Sequence, residues 1–266
     1  MAKIGVTLID SMGSDSSVVN SARVSFGKTS KGKSVVLSLL DYDPEYIQKA
    51  VKTYRSEGYK VEFDYDRWSV TISCPDERDT KLINYLAKHK HMSPFGHAFA
   101  SFHVKAPIFV ARQLVKHKFL RWNEVSRRYV DDEPEFYTPE VWRGRSEDKK
   151  QGSSGEVNFG LEEFSFGDAN GPVEDVLEWH KEDCFALYTQ LLGSGVAPEQ
   201  ARMVLPQNTM TEWYWSGSLD AFADMCKLRL KEDTQYESRA VAQGISSKMH
   251  ELFPVSWEAL VEKQNE

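Results

Sequence analysis

The segment from Gln113 to Tyr129 sets Lys116, His117, Lys118, Arg121, Arg127 and Arg128 around a lone carboxylate, Glu124, in a chain whose formal net charge is −7. So many cationic groups cannot enter an apolar core unpaired, so any fold must keep this stretch at a surface or wrapped around an anion. In an acidic protein such a local concentration of positive charge favours the anion. Pro107 suits the first turn of a helix, and the spacing predicts a helix from there to about Phe119, with Gln113, Lys116 and His117 in successive turns. The helical pattern then stops. If Asn123–Tyr129 is extended, Glu124, Ser126 and Arg128 project to one side and Val125, Arg127 and Tyr129 to the other. The first face could accept, donate and pair with phosphate. The competing reading is a solvated basic helix end followed by an ordinary loop.

The 266 residues lie within the range of one elaborated domain, and 41% hydrophobic residues can build a sizeable core. The opening apolar run to Asp10 is too brief for a signal-peptide core or a membrane span and reads as a buried first strand. Cys74, Cys184 and Cys226 are odd in number and lack Cys-x-x-Cys spacing, so neither a disulfide framework nor a metal site is expected. A reducing cytoplasm is the expected compartment. Ser16 or Asp15 could cap a helix reaching Arg23, and Asp76–His91 carries a helical apolar pattern through Leu82, Tyr85 and Leu86. Between them, 43–58 reads as a helix closing at Gly58, and 59–66 and 67–74 alternate as a hairpin. This α-β-β piece, within residues 30–75, is expected to be an inserted subdomain.

Residues 97–105 are strand-like, 129–137 are expected to return as another strand, and 144–171, rich in Gly, Ser and acid, is expected to be a long flexible loop. Candidate helices follow at about 172–194, 197–204, 217–231 and 233–252. The class is α+β: a mixed sheet packed by helices, with a helical C-terminal half. Trp213, Tyr214 and Trp215 cannot share one face, and packing against helices is their expected use. Leu219, Phe222, Cys226 and Arg229 follow one helical stripe, so the Arg229 guanidinium points toward a core and needs an anionic or acceptor-rich partner. An internal salt bridge to Glu237 or Glu232 and a functional anion site both satisfy that need.

Lys116-His117-Lys118, seven residues, then Ser126-Arg127-Arg128 resembles the Arg-His-Arg, seven residues, Ser-x-Arg signature of flavin-dependent thymidylate synthases, with two arginines replaced by lysines. Arg121, where the family usually has a small residue, could compensate. Four further segments resemble that family in the right order: Ala22–Phe26, His91–His97 with Gly96 for the usual glutamate, Ala201–Pro206, and Leu228-Arg229 followed by Gln235-Tyr236-Glu237. A single short motif would be weak evidence, whereas five in order are strong.

The resemblance implies reductive methylation of deoxyuridylate (dUMP) to thymidylate (dTMP), with methylenetetrahydrofolate as carbon donor and FAD re-reduced by NADPH, in a homotetramer. It implies dUMP binding by Gln113, Lys116, Glu124, Ser126, Arg127, Arg128, Arg202 and Arg229, with Arg229 the catalytic residue at the uracil ring. The flavin set it implies is Ser25, His91, Ser93, Lys116, His117, Lys118, Glu124, Ser218 and Asp224. Ser218 and Asp224 stand where the family often has amides, and His91 in its His89-Lys90-His91 run is otherwise an ordinary solvated histidine. No cysteine is placed as a nucleophile for C6 of the pyrimidine, which fits the flavin route. Two other readings remain: a flavin reductase lacking methyl transfer, and a nucleic-acid binder using the basic segment with Trp122 and Tyr129. Against the latter stands a pI near 5.6 without a second basic patch.

Overall fold

The computed structural model describes residues 2–56, 59–130, 132–147, 152–159 and 163–263. Its elements in chain order are β1 (Gly5–Met12), α1 (Asp15–Arg23), β2 (Lys33–Ser38), α2 (Pro44–Ser56), β3 (Lys60–Asp64), β4 (Ser69–Cys74), α3 (Glu77–Lys88), β5 (Phe99–Pro107), α4 (Ile108–Leu114) and β6 (Arg121–Glu124). There follow β7 (Arg143–Arg145), β8 (Ser153–Glu156), β9 (Phe164–Phe166), β10 (Ala169–Gly171), α5 (Val173–Gly193), α6 (Pro198–Ala201), β11 (Met210–Ser218), α7 (Leu219–Arg229), α8 (Tyr236–Leu252) and α9 (Pro254–Trp257).

The central sheet runs β1-β5-β11-β6, and its ladders are antiparallel. Alternation builds it. Ala100, Phe102, Val104 and Ala106 of β5 and Trp213 and Trp215 of β11 are buried on one face, while His103, Lys105 and Glu212 pair on the other. Helices α4, α7 and α8 cover the apolar face and carry Leu114, Phe222, Val241 and Ile245 into one core. The class is therefore α+β with helices packed on a sheet, as expected.

Several local expectations are corrected. The first strand lies at the sheet edge and is largely exposed, because only one neighbour, β5, pairs with it. The cap of α1 is Ser14, and Asp15 is buried with its carboxylate accepting from the backbone N–H groups of Val255 and Ser256 at 3.1 and 2.9 Å. Residues 30–75 form a β-α-β-β unit: the unforeseen β2 pairs with β4 in a separate sheet of order β2-β4-β3. The closure of α2 at Gly58 lies outside the described residues. No strand forms over the described part of 129–137, where an isolated bridge joins Phe136 to Thr209. The described residues of 144–171 are not structureless, because β7–β8 and β9–β10 form two short pairs and Phe166 packs edge-on against Trp179 and His180 of α5. The C-terminal helices fall close to their expected spans, but β11 interrupts them, so Trp213 and Trp215 are strand residues and Tyr214 faces outward. No helix among the described residues is long and apolar enough to cross a membrane.

Candidate active site

The basic segment is shaped by the sheet it joins. Helix α4 ends at Leu114, one turn short of the expected boundary, and the chain reverses through Phe119 at φ 65° before β6 pairs with β11. Lys116, His117 and Lys118 therefore sit on the loop after the helix. Gly217 permits this path: a Cβ there would meet Leu120 Cδ2 at 2.4 Å and Phe119 O at 3.2 Å. The extended stretch also ends early, at Glu124, and Ser126–Tyr129 is a turn in which the Tyr129 N–H donates to Ser126 O at 3.0 Å. The alternation expected over 123–129 fails because β11 offers partners only to Arg121–Glu124.

At the C-terminal end of α7, Arg229 is half-buried. Its Nε donates to His117 Nε2 at 2.9 Å, Nη1 to Gln113 Oε1 at 3.4 Å and Nη2 to Gln113 O at 3.3 Å. Neither Glu232 nor Glu237 pairs with it, and among the described residues no carboxylate lies in ion-pair reach of its guanidinium. The internal salt bridge is thus not formed, and the charge is held by neutral acceptors. Burial lowers the Arg229 pKa, and burial together with the Arg229 cation pushes His117 down to about 4. His117 is therefore neutral near pH 7, with Nε2 as acceptor and its proton on Nδ1. Gln113, Lys116, Arg229, Lys231 and Gln235 line a cleft of about 760 Å³ beside it. Behind the cleft, Trp215 stands between His117 and Phe222 at ring separations of 6.5 and 5.7 Å.

A second group forms around Glu199, in the first turn of α6. Its carboxylate lies 3.4 Å from Arg128 Nη2, and its carbonyl accepts from Arg202 Nε at 3.3 Å. Arg127 instead donates to Asp132 O at 2.5 Å, and the Ser126 hydroxyl accepts from the Arg128 N–H at 3.3 Å. Glu124 is held within the sheet, accepting from Trp122 Nε1 at 3.1 Å and Thr211 Oγ1 at 2.9 Å. Arg128 and Arg202 are thus brought together through Glu199, apart from the Arg229 contacts.

The remaining residues spread along α7. Ser218 is its N-cap, Asp224 on its exposed side pairs with Lys227 at 3.2 Å, and Arg229 ends it, 11 residues or about 16 Å of helix. Ser93 opens the turn Ser93–His97, which packs against both α7 and α1. Ser25 lies exposed in the turn after α1, whose Arg23 reaches the buried Asp79 at 2.6 Å. His91 is exposed and stacks with Tyr85 at 6.2 Å, as a solvated histidine does. Lys116 and Lys118 are exposed without a carboxylate partner among the described residues.

A family model described as "Thymidylate synthase complementing protein" matches residues 7–255. The chain belongs to the flavin-dependent thymidylate synthase family. It is 35% identical to the flavin-dependent thymidylate synthase of Thermus thermophilus, over 97% of this chain and 75% of that one. The enzyme of the same name from Thermosipho africanus is 31% identical over 96% of this chain and 89% of its own. Among solved structures, the UMP/dUMP methylase PolB from Streptomyces cacaoi bound with 5-Br dUMP is similar, with a TM-score of 0.66 and 27% identity, covering 97% of this chain and 95% of that one.

Within this flavin-dependent thymidylate synthase family member, Gln235, Ser238 and Glu199 hold expected site residues in place, although the sequence pattern assigned them no role. Ser238 left a signal. It is the polar member of a helical stripe continued by Val241, Ala242, Ile245 and Met249, all buried. Glu199 left none, because an acidic residue two positions before Ala201 is ordinary at a helix start.

Proposed function

We propose that this protein methylates C5 of dUMP reductively to give dTMP, taking the carbon from methylenetetrahydrofolate and using FAD re-reduced by NADPH, as a cytoplasmic homotetramer. The observation that carries this reading is Arg229: a half-buried cation, fixed by His117 and Gln113, that lines a cleft with Lys116 and Lys231 and lacks a carboxylate partner among the described residues. Two of its five N–H groups remain for a ligand. They can meet the carbonyl edge of a pyrimidine and hold the negative charge that develops as C5 becomes nucleophilic. The solved structure of PolB with 5-Br dUMP supports the substrate class.

The donor set suits a flavin dinucleotide. Lys116 and Lys118 offer point charges to its phosphates, neutral His117 offers an Nδ1–H, and Ser25, Ser93 and Ser218 offer hydroxyls. When bound, the flavin supplies the hydride. Arg128 and Arg202, with Ser126, would hold the nucleotide phosphate once it displaces the Glu199 carboxylate. Asp224, Arg127, Glu124 and His91 stay as weaker members, since each has another partner or stands in solvent. No described cysteine lines the cleft, and burial raises the thiol pKa of Cys226 and Cys184. We read the chain as one catalytic domain with residues 30–75 as an accessory unit. A yellow purified protein that releases tritium from C5-labelled dUMP is the expected result. Flavin turnover without tritium release would leave only a reductase.

A further inference from the structure

Ser238 lies behind the cleft and reaches it through Gln113. It sits in the first turn of α8, is fully buried, and its Oγ donates to Gln113 Oε1 at 2.8 Å. The same Gln113 oxygen lies 3.4 Å from Arg229 Nη1, while the Gln113 amide nitrogen donates to Gln235 Oε1 at 2.8 Å. A guanidinium can only donate, so the Gln113 atom facing Arg229 must be the carbonyl oxygen. An amide oxygen accepts two hydrogen bonds, and here both come from within the protein. Beside Arg229 the cleft wall therefore presents the remaining guanidinium N–H donors, while the Gln113 side-chain oxygen has no lone pair left for a ligand.

We propose that Ser238 sets pyrimidine selectivity by engaging the Gln113 carbonyl, so that the cleft accepts a ring edge made of acceptors and refuses one that carries an amino donor. The inference rests on reading the cleft as a pyrimidine-nucleotide site. Uracil presents O4 to Arg229. Cytosine replaces that oxygen with an amino group, and two sets of donors then face each other, which leaves buried polar groups unpaired. Without the Ser238 hydroxyl, Gln113 Oε1 regains a lone pair and loses a tether, and it can turn to accept from the amino group. Ser238 is thus a positioning residue that acts through Gln113.

The test is calorimetric titration of the full chain with dUMP and with dCMP, for the native protein and for Ser238→Ala. The native protein is expected to bind dUMP and to discriminate against dCMP. In Ser238→Ala the ratio of the two dissociation constants should narrow by about tenfold, the effect of one hydrogen bond. Should the alanine variant be recovered unfolded, Ser238→Cys, which keeps the volume and a weak S–H donor, is expected to narrow the ratio by a smaller factor. An unchanged ratio in a folded variant, or equal weakening of both nucleotides, overturns the proposal, because a purely structural serine would act on both alike. A native protein that binds dUMP but does not discriminate also overturns it. Failure of the native protein to bind either nucleotide overturns the nucleotide reading and this proposal with it.

Discussion

Arg229 keeps its charge on neutral partners, His117 Nε2 and the two oxygens of Gln113, beside an open cleft. Its removal leaves acceptors that water can reach, so Arg229→Ala should stay folded and yellow while its dUMP affinity falls by about ten- to a hundred-fold. Melting temperature, flavin content and nucleotide titration on one sample check this, and an unstable, colourless variant would contradict it. His117 gives a pH signature. Its folded pKa of about 4 lies below the ordinary 6.5, so as pH falls through 6.5 the unfolded chain takes up a proton that the folded one refuses. Its stability contribution is complete above 6.5 and declines toward pH 4. Thermal melts between those values should show a shallower slope for His117→Gln, whose amide oxygen can still accept from Arg229. Lys116 and Lys118 make the third residue-scale prediction. Changing both to Arg should retain or tighten flavin, and changing both to Ala should release it, as read from the flavin absorbance after gel filtration.

At the scale of elements, the site depends on how closely the 115–120 loop lies over β11. Gly217→Ala would drive a methyl into Leu120, and relieving that contact must move the loop that carries His117 and Lys118. A loss of about 1–3 kcal/mol in urea unfolding is expected, together with weaker flavin retention. Unchanged stability would show that the loop yields freely. The elements that the sequence made legible were those with long apolar periodicity: α3, α5, α7 and α8 fall within a few residues of their expected spans. The shorter ones were less legible. β11 alternates Thr211, Trp213, Trp215 and Gly217 inward, but its aromatics stand just before α7 and read as helix-packing residues. β2 lacks a buried face in the chain and leaves little periodic signal.

For the whole molecule, the arginines divide into an Arg229 group and an Arg128–Arg202 group, although Gln113 and Arg128 lie on one short segment. A homotetramer that completes each site from more than one subunit would reunite them. Light scattering should then give a mass near four times 30.4 kDa, and a fully active single chain would contradict the arrangement.

Motif spacing and apolar periodicity are properties of the chain alone, and they were enough for the family and the α+β class. The partner of Arg229 could not be read that way. Its choice between Glu237, Glu232 and neutral acceptors depended on where α4 stops and on which residues of α8 turn inward. The same holds for Ser238, whose hydroxyl gains a role from Gln113, 125 positions away in sequence. Local periodicity reports the face a residue occupies, whereas the group opposite that face is set by packing between elements distant in the chain.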